Sequence, residues 1–124
     1  MANKDVKFLD ATSITYTGGF SQPIFVGDLI TAVVTVVGTG TVIAHGSAQE
    51  DAPDFSAPST ITNSHVPVVL ADYTTANTYY NGGAGVTVAA STQIVELNTN
   101  LLNWICLERS GGGVEATVTS TNNQ

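Results

Sequence analysis

The hydrophobic residues of this chain recur at every second position in short runs, which is the spacing of β-strands. In the run Leu29–Val37, one face carries Ile30, Ala32, Val34 and Val36. The other face carries Thr31, Val33, Thr35 and Val37, so both faces should be at least partly covered. No segment shows a sustained 3.6-residue period with helix caps, so the pattern predicts strands instead of helices.

Two glycine-containing segments predict β-hairpins. Gly38-Thr39-Gly40 reads as a tight turn, because glycine accepts positive φ, and the chain would return through Thr41–His45. A second hairpin would pair Trp104–Glu108 with Val114–Thr119 across the turn Ser110–Gly113. In its return strand apolar and polar residues alternate, so one face should be buried and the other exposed to solvent.

The remaining strand candidates are short and evenly spaced. They are Ile24–Val26, Val66–Leu70, Gly85–Ala89 and Gln93–Leu97. Strands at a spacing of roughly 8 to 12 residues predict an all-β fold, here an antiparallel β-sandwich of jelly-roll-like type over residues 21–124. Residues 1–20 are weakly patterned and are expected to form an N-terminal arm lying on a neighbouring molecule. The proline-rich, acidic segment Glu50–Thr60 should be a long connecting loop.

The charge distribution changes this picture. Only 10% of the 124 residues are charged, and no lysine or arginine lies between Lys7 and Arg109. Exposed sheet edges are usually guarded by charge, so these edges are expected to be closed or packed against other chains. The net charge of −7 predicts that neither nucleic acid nor an anionic membrane surface is a partner.

The sequence shows few features of cysteine chemistry or of targeting. Cys106 is the single cysteine, so no intrachain disulfide can form, and its apolar surroundings predict a buried thiol. The first residues show no signal peptide, and no stretch approaches the ~18 apolar residues of a membrane span. Synthesis in the cytoplasm is therefore expected.

Candidate chemistry is weak throughout. Gly38-Thr39-Gly40 lacks the third glycine of a dinucleotide fingerprint, and His45 and His65 have no metal-motif spacing. We therefore expect no catalytic residues, no cofactor and no enzymatic activity. The weak calcium candidates are Glu50, Asp51 and Asp54, since hard cations take oxygen ligands. Tyr79 and Tyr80 are candidates for a glycan platform, whereas Trp104 is expected in the core.

Two stretches together carry a family resemblance. They are the segment ending in Gly38–Ser56, and Glu96–Ile105 followed by a glycine-rich turn and Val114–Thr119. This pairing resembles small β-sandwich virion proteins of tailed bacteriophages and related environmental viruses. That group includes capsid decoration (cement) proteins and appendage modules. The resemblance spans about residues 29–119 and brings no active site with it.

The resemblance implies a non-enzymatic capsid decoration protein on the outer surface of the virion. Its partners would be the major capsid protein and copies of itself in a homo-oligomer, with a trimer favoured. The alternative is a tail, fibre or head-spike module that recognises a host-surface glycan. In that alternative Tyr79, Tyr80, the Asn/Thr-rich loops and the acidic loop would line the site.

Overall fold

The predicted all-β, antiparallel class is confirmed. The computed structural model describes residues 12–29, 31–72, 78–80, 83 and 85–120, and in these ranges it contains ten strands and no helix. The strands are β1 (Thr12–Ser13), β2 (Tyr16–Thr17), β3 (Phe20–Ser21), β4 (Ile24–Phe25), β5 (Thr31–Ser47), β6 (Val66–Pro67), β7 (Leu70–Asp72), β8 (Thr78–Tyr80), β9 (Val86–Asn98) and β10 (Trp104–Ser120). Within these ranges no helix has the length and apolarity that a membrane crossing requires.

Three long strands form the centre of one open sheet. β5 lies between β9 and β10, and the path through the sheet runs β2-β3-β10-β5-β9-β7-β8. The short strands β1 and β4 also pair with β10, while β6 pairs with the end of β5. Among the described residues each strand pairing is antiparallel, so neighbouring strands run in opposite directions.

The two predicted hairpins are wrong, because their glycines lie inside continuous strands. Gly38 and Gly40 belong to the 17-residue strand β5, and the segment Ser110–Gly113 belongs to the 17-residue strand β10. The predicted strands Gly85–Ala89 and Gln93–Leu97 are likewise parts of the single strand β9. The glycines therefore mark irregularities in the pairing instead of chain reversals.

These irregularities are bulges at one level of the sheet. Between Thr39 and Thr41, β5 has one residue where β10 has two, because Thr39 pairs with Gly113 and Thr41 with Ser110. On the other side, Gly38 pairs with Ser91 and Gly40 with Val88, so β9 also has two residues against one. The bulge in β9 contains Ala90 at a φ of 54°, and the Ala90 amide donates to the Thr39 hydroxyl at 3.0 Å.

The extra residues keep the same face of the sheet buried. Side chains alternate between the two faces, so an insertion of one residue exchanges odd and even positions as the buried set. In β10 the residues of the core cluster are Ile105 and Leu107 before the bulge, and Val114, Ala116 and Val118 after it. In β9 they are Val86 and Val88 before the bulge, and Val95 and Leu97 after it. The central strand β5 needs no such shift, and its core residues are even-numbered on both sides of the bulges; Ala32, Val34 and Val36 share one face as predicted.

The buried apolar residues form one cluster that includes both ends of each long strand. Residues on the far side of the bulges, such as Val42 and Leu107, belong to the same cluster as Val34 and Val118. Contributions from outside the long strands come from Ile14, Ile24, Val26, Leu29 and Leu70. One core therefore serves the whole described sheet.

The described part of the predicted arm is paired with its own chain. Thr12 and Ser13 pair with Val118 and Thr117 of β10, and the buried Ile14 belongs to the core cluster. Residues 12–25 thus cover one side of β10, a sheet edge that has no lysine to protect it. Residues 1–11 lie outside the described residues.

Gly38 allows β5 and β10 to come close together at the bulge. Its φ is 114°, and a Cβ atom at this position would lie 2.1 Å from the carbonyl oxygen of Gly113. That oxygen belongs to the backbone and cannot rotate away. Side chains other than hydrogen are therefore excluded here by both conformation and space.

The Gly38→Ala substitution is expected to destabilise the fold by about 3 kcal/mol or more, because it adds a backbone clash to the strain of positive φ. The matched control is Gly18→Ala, where φ is 61° but nothing lies within 4 Å of the added Cβ. Gly18→Ala should cost only about 1 kcal/mol. Urea denaturation of both variants measures the difference, and equal losses would contradict the close approach.

Candidate functional site

The acidic loop is held together by its own hydrogen bonds. Asp54 Oδ1 accepts bonds from the Ser56 amide at 3.0 Å and the Ser56 hydroxyl at 2.6 Å. These two bonds lower the pKa of Asp54. Asn63 bonds across the loop to the backbone of Asp54, since its Oδ1 accepts from the Asp54 amide at 2.7 Å and its Nδ2 donates to the Asp54 carbonyl at 3.0 Å.

The calcium candidates do not come together as a cluster of acidic side chains. Among the described residues, no three His, Cys, Asp or Glu side chains form a group that could hold a metal ion. One oxygen of Asp54 is already occupied by Ser56. Backbone carbonyls can also bind calcium, so a role for Glu50, Asp51 and Asp54 stays a prediction.

His45 connects this loop to the sheet. Its Nε2 lies 2.8 Å from Oε1 of Glu108 on the neighbouring strand β10. Its ring lies 6.0 Å from the ring of Phe20 and 6.5 Å from that of Phe55, between the N-terminal strands and the loop. His65 packs on Phe55 at 5.3 Å, and its Nε2 is 2.9 Å from the Ala57 carbonyl. Each histidine is thus a strand or loop residue with a hydrogen-bonding partner of its own.

Cys106 and Trp104 lie on the same face of β10 but in different surroundings. Cys106 is buried, as predicted, and burial raises the pKa of its thiol. Trp104 was expected in the core, and this is wrong: it is partly exposed and packs edge-on against the ring of Phe25. Its indole nitrogen donates to the Glu50 carbonyl at 3.1 Å, which anchors the start of the acidic loop.

Arg109 is the one lysine or arginine in the described part of the chain, and it is used inside the fold. Its guanidinium lies 4.3 Å above the centre of the Tyr16 ring. It also donates to the Val114 carbonyl at 3.0 Å and to the Glu115 carboxylate at 2.7 Å, both just beyond the bulge in β10. Arg109 therefore fixes the bulge and the N-terminal strands relative to each other.

A contiguous apolar surface lies at one end of the sheet. We call it the Leu101 surface; it consists of Val66, Val68, Val69, Leu101 and Leu102. Leu101 is 87% exposed, and about half of each of the Val66 and Val69 side chains is exposed as well. Full burial of an exposed leucine side chain is worth ~1.5–3 kcal/mol and that of a half-exposed valine about half as much, so covering this surface is favourable.

Packing beneath this surface fixes its shape. Val68 and Leu102 pack against the core and lie over Gly46. A Cβ at Gly46 would lie 2.8 Å from Leu102 Cδ1, so glycine makes room for this packing. The Leu102 amide donates to the Thr99 carbonyl at 3.0 Å, which closes the turn that lifts Leu101 into solvent.

Two shallow grooves flank Leu101 and Leu102. One, of about 310 Å³, is lined by Val68, Val69, Asn98, Asn100, Leu101 and Leu102. The other, of about 340 Å³, is lined by Gly46, Ser47, Ala48, Ser59, Ser64, His65, Val66, Leu101 and Leu102. No aspartate, glutamate, lysine or arginine lines either groove. The Leu101 surface is thus uncharged on a chain whose net charge is −7.

Sequence reasoning missed this surface. A strand over Val66–Leu70 was predicted, but the structure divides it into β6 and the start of β7. The available signal was the pair Leu101-Leu102, which is flanked by Asn100 and Asn103 in a turn. The side chains of the glycan candidates Tyr79 and Tyr80 lie outside the described residues, so their role stays a prediction.

Comparison with known proteins identifies no significant match to this chain. No protein-family model matches the chain, and neither a curated protein nor a solved structure matches it significantly. The resemblance to small virion proteins therefore stays a prediction.

The Tyr16 phenol is expected to ionise late in an alkaline titration. Burial raises its pKa from 10.0 to about 12, and the nearby Glu115 and Cys106 act in the same direction, while Arg109 opposes them. The unfolded chain loses this proton near pH 10, whereas the folded chain keeps it. The contribution of Tyr16 to stability is therefore complete below pH 10 and is lost as the pH rises through about 12.

Tyrosinate absorbance against pH measures this effect, with Tyr16→Phe as the comparison. The native chain has four tyrosines, and the variant should lack one late-ionising group. In denaturant all four should titrate together near pH 10. A native titration in which Tyr16→Phe removes an early component would contradict the burial of this phenol.

Proposed function

We propose that the protein is a non-enzymatic virion structural protein, a capsid decoration protein that binds the outer surface of the major capsid shell. The observation that carries the proposal is the Leu101 surface, which is apolar, uncharged and exposed on an acidic chain. Burying such a surface against a partner lowers the free energy. A capsid shell offers many equivalent positions at which this burial could occur.

The charge distribution supports docking through this surface. Ten acidic residues stand against three basic ones, and two acidic surfaces repel each other when they meet. Contact through the Leu101 surface brings no carboxylate of its own into the interface, so no charge there must be desolvated. The acidic groups would remain in solvent and keep the decorated particle soluble.

Multiple copies would provide most of the strength. A stable protein interface buries roughly 1,200–2,000 Å² in total, which is more than three exposed side chains supply. A homo-oligomer, with a trimer favoured, would place several Leu101 surfaces against the shell at once and raise the apparent affinity by avidity. The proposed location is the virion exterior.

The proposal includes a β-sandwich fold and an N-terminal arm over residues 1–20 that contacts a neighbouring molecule. The single core cluster contains residues from both sides of the bulges, which supports a sheet that folds over into a two-layered β-sandwich. Deleting residues 1–20 would remove Ile14 and Tyr16, which pack in the fold. Deletion of residues 1–11 is therefore the sharper test of an arm that reaches a neighbour.

The Leu101→Asp substitution is expected to weaken binding to the undecorated capsids of the virus that encodes this protein by at least about tenfold, because it adds a charge to the apolar contact. Co-sedimentation over a range of protein concentrations measures the occupancy. The mass of the free protein in solution gives the oligomeric state in the same series.

The matched control is Ile61→Asp. Ile61 is 97% exposed and lies in a neighbouring turn, but it lines neither groove. This variant should bind capsids like the native protein. Equal binding by native protein and Leu101→Asp, or equal losses in both variants, would contradict docking through the Leu101 surface.

A further inference from the structure

A third groove lies away from the Leu101 surface, between the N-terminal strands and the acidic loop. Its volume is about 320 Å³, within the range of small-molecule sites. It is lined by Thr15, Thr17, Phe20, Ser21, Gln22, Pro23, Pro53, Asp54, Phe55 and Ser56. Its lining combines apolar rings with hydroxyl, amide and carboxylate groups, unlike the Leu101 surface.

Both walls of this groove are held in place. On the first wall, the Gln22 side chain accepts a hydrogen bond from the Thr15 amide at 2.9 Å, and the Ser21 hydroxyl accepts one from the Leu107 amide at 2.9 Å. On the second wall, Asn63 bonds both backbone groups of Asp54. The His45 ring packs against Phe20 of one wall and Phe55 of the other. A groove fixed in this way loses little conformational entropy on binding.

The polar groups of the groove form a complementary set. The Thr15 and Thr17 hydroxyls lie on the exposed face of one segment and bond no described residue. Asp54 Oδ1 is held by Ser56, which leaves Oδ2 as an acceptor. Two hydroxyls that can donate or accept thus lie in the same groove as one ionised acceptor.

These groups select the class of ligand. An apolar ligand would bury the Asp54 carboxylate and the threonine hydroxyls without partners, which is costly. An anionic ligand would meet Asp54 and the net charge of −7. A neutral sugar offers hydroxyls that donate to Asp54 and bond Thr15 and Thr17, and its C–H groups can pack on Phe20.

We propose that the groove between residues 15–23 and 53–56 binds a neutral sugar residue, with Asp54, Thr17 and Phe20 as its principal contacts. This binding site is separate from the Leu101 surface, so sugar binding and capsid docking can be tested independently. A decoration protein with such a site would present it to solvent while attached to the shell.

The test is titration of the full-length protein with the methyl glycosides of glucose, galactose and N-acetylglucosamine. N-acetylneuraminic acid serves as the anionic probe and glucosamine as the cationic probe. At least one neutral glycoside should bind with a Kd of about 1–10 mM, a typical strength for so small a contact. Backbone amide signals of residues 15–23 and 53–56 should shift in the NMR spectrum, and those near Leu101 should not.

Paired variants identify the contacts. Asp54→Asn and Thr17→Val should each weaken binding about tenfold, whereas Asp51→Asn and Thr62→Val, which lie outside the groove, should not. Leu101→Asp should leave sugar binding unchanged. The proposal is overturned if no neutral glycoside binds below about 50 mM, if only a charged probe binds, or if the shifted amides lie elsewhere. The amide map decides the question even where a variant fails to fold.

Discussion

The close approach of β5 and β10 at Gly38 is the constraint on which the rest of the structure depends. Only a residue without a Cβ can sit against the Gly113 carbonyl at this point. The approach lets the long strands continue through the bulges, with the extra residue in each outer strand restoring the buried face. Without it, either the pairing or the alternation of buried positions would fail beyond the bulge, and the single core would be divided.

The scarcity of cations has a structural consequence as well as an electrostatic one. Arg109 is placed where it bonds the strand beyond the bulge and packs on Tyr16, so its charge is satisfied within the fold. The edge of β10 is covered by residues 12–25 of the same chain instead of being guarded by lysine. Among the described residues, the surface left for partners includes the apolar, uncharged Leu101 surface on an otherwise acidic chain.

The loop over residues 48–65 connects the two candidate binding surfaces. Pro53–Ser56 form a wall of the polar groove, while Ser59, Ser64 and His65 line one side of the Leu101 surface. Its position depends on the Asn63 bonds within the loop and on His45, whose ring lies between Phe20 and Phe55. Both surfaces thus rely on the same polar and aromatic contacts on the outer face of the sheet.

The sequence by itself determined the all-β class, the buried face of Val114–Thr119 and the burial of Cys106, because these follow from alternation and local apolarity. It also indicated the long acidic loop. Tertiary structure decided whether Gly38 and Gly111 reverse the chain or form bulges, since glycine permits both and only pairing across three strands selects one. It likewise decided which residues meet in the groove and at Leu101, because those contacts join segments that are far apart in the chain.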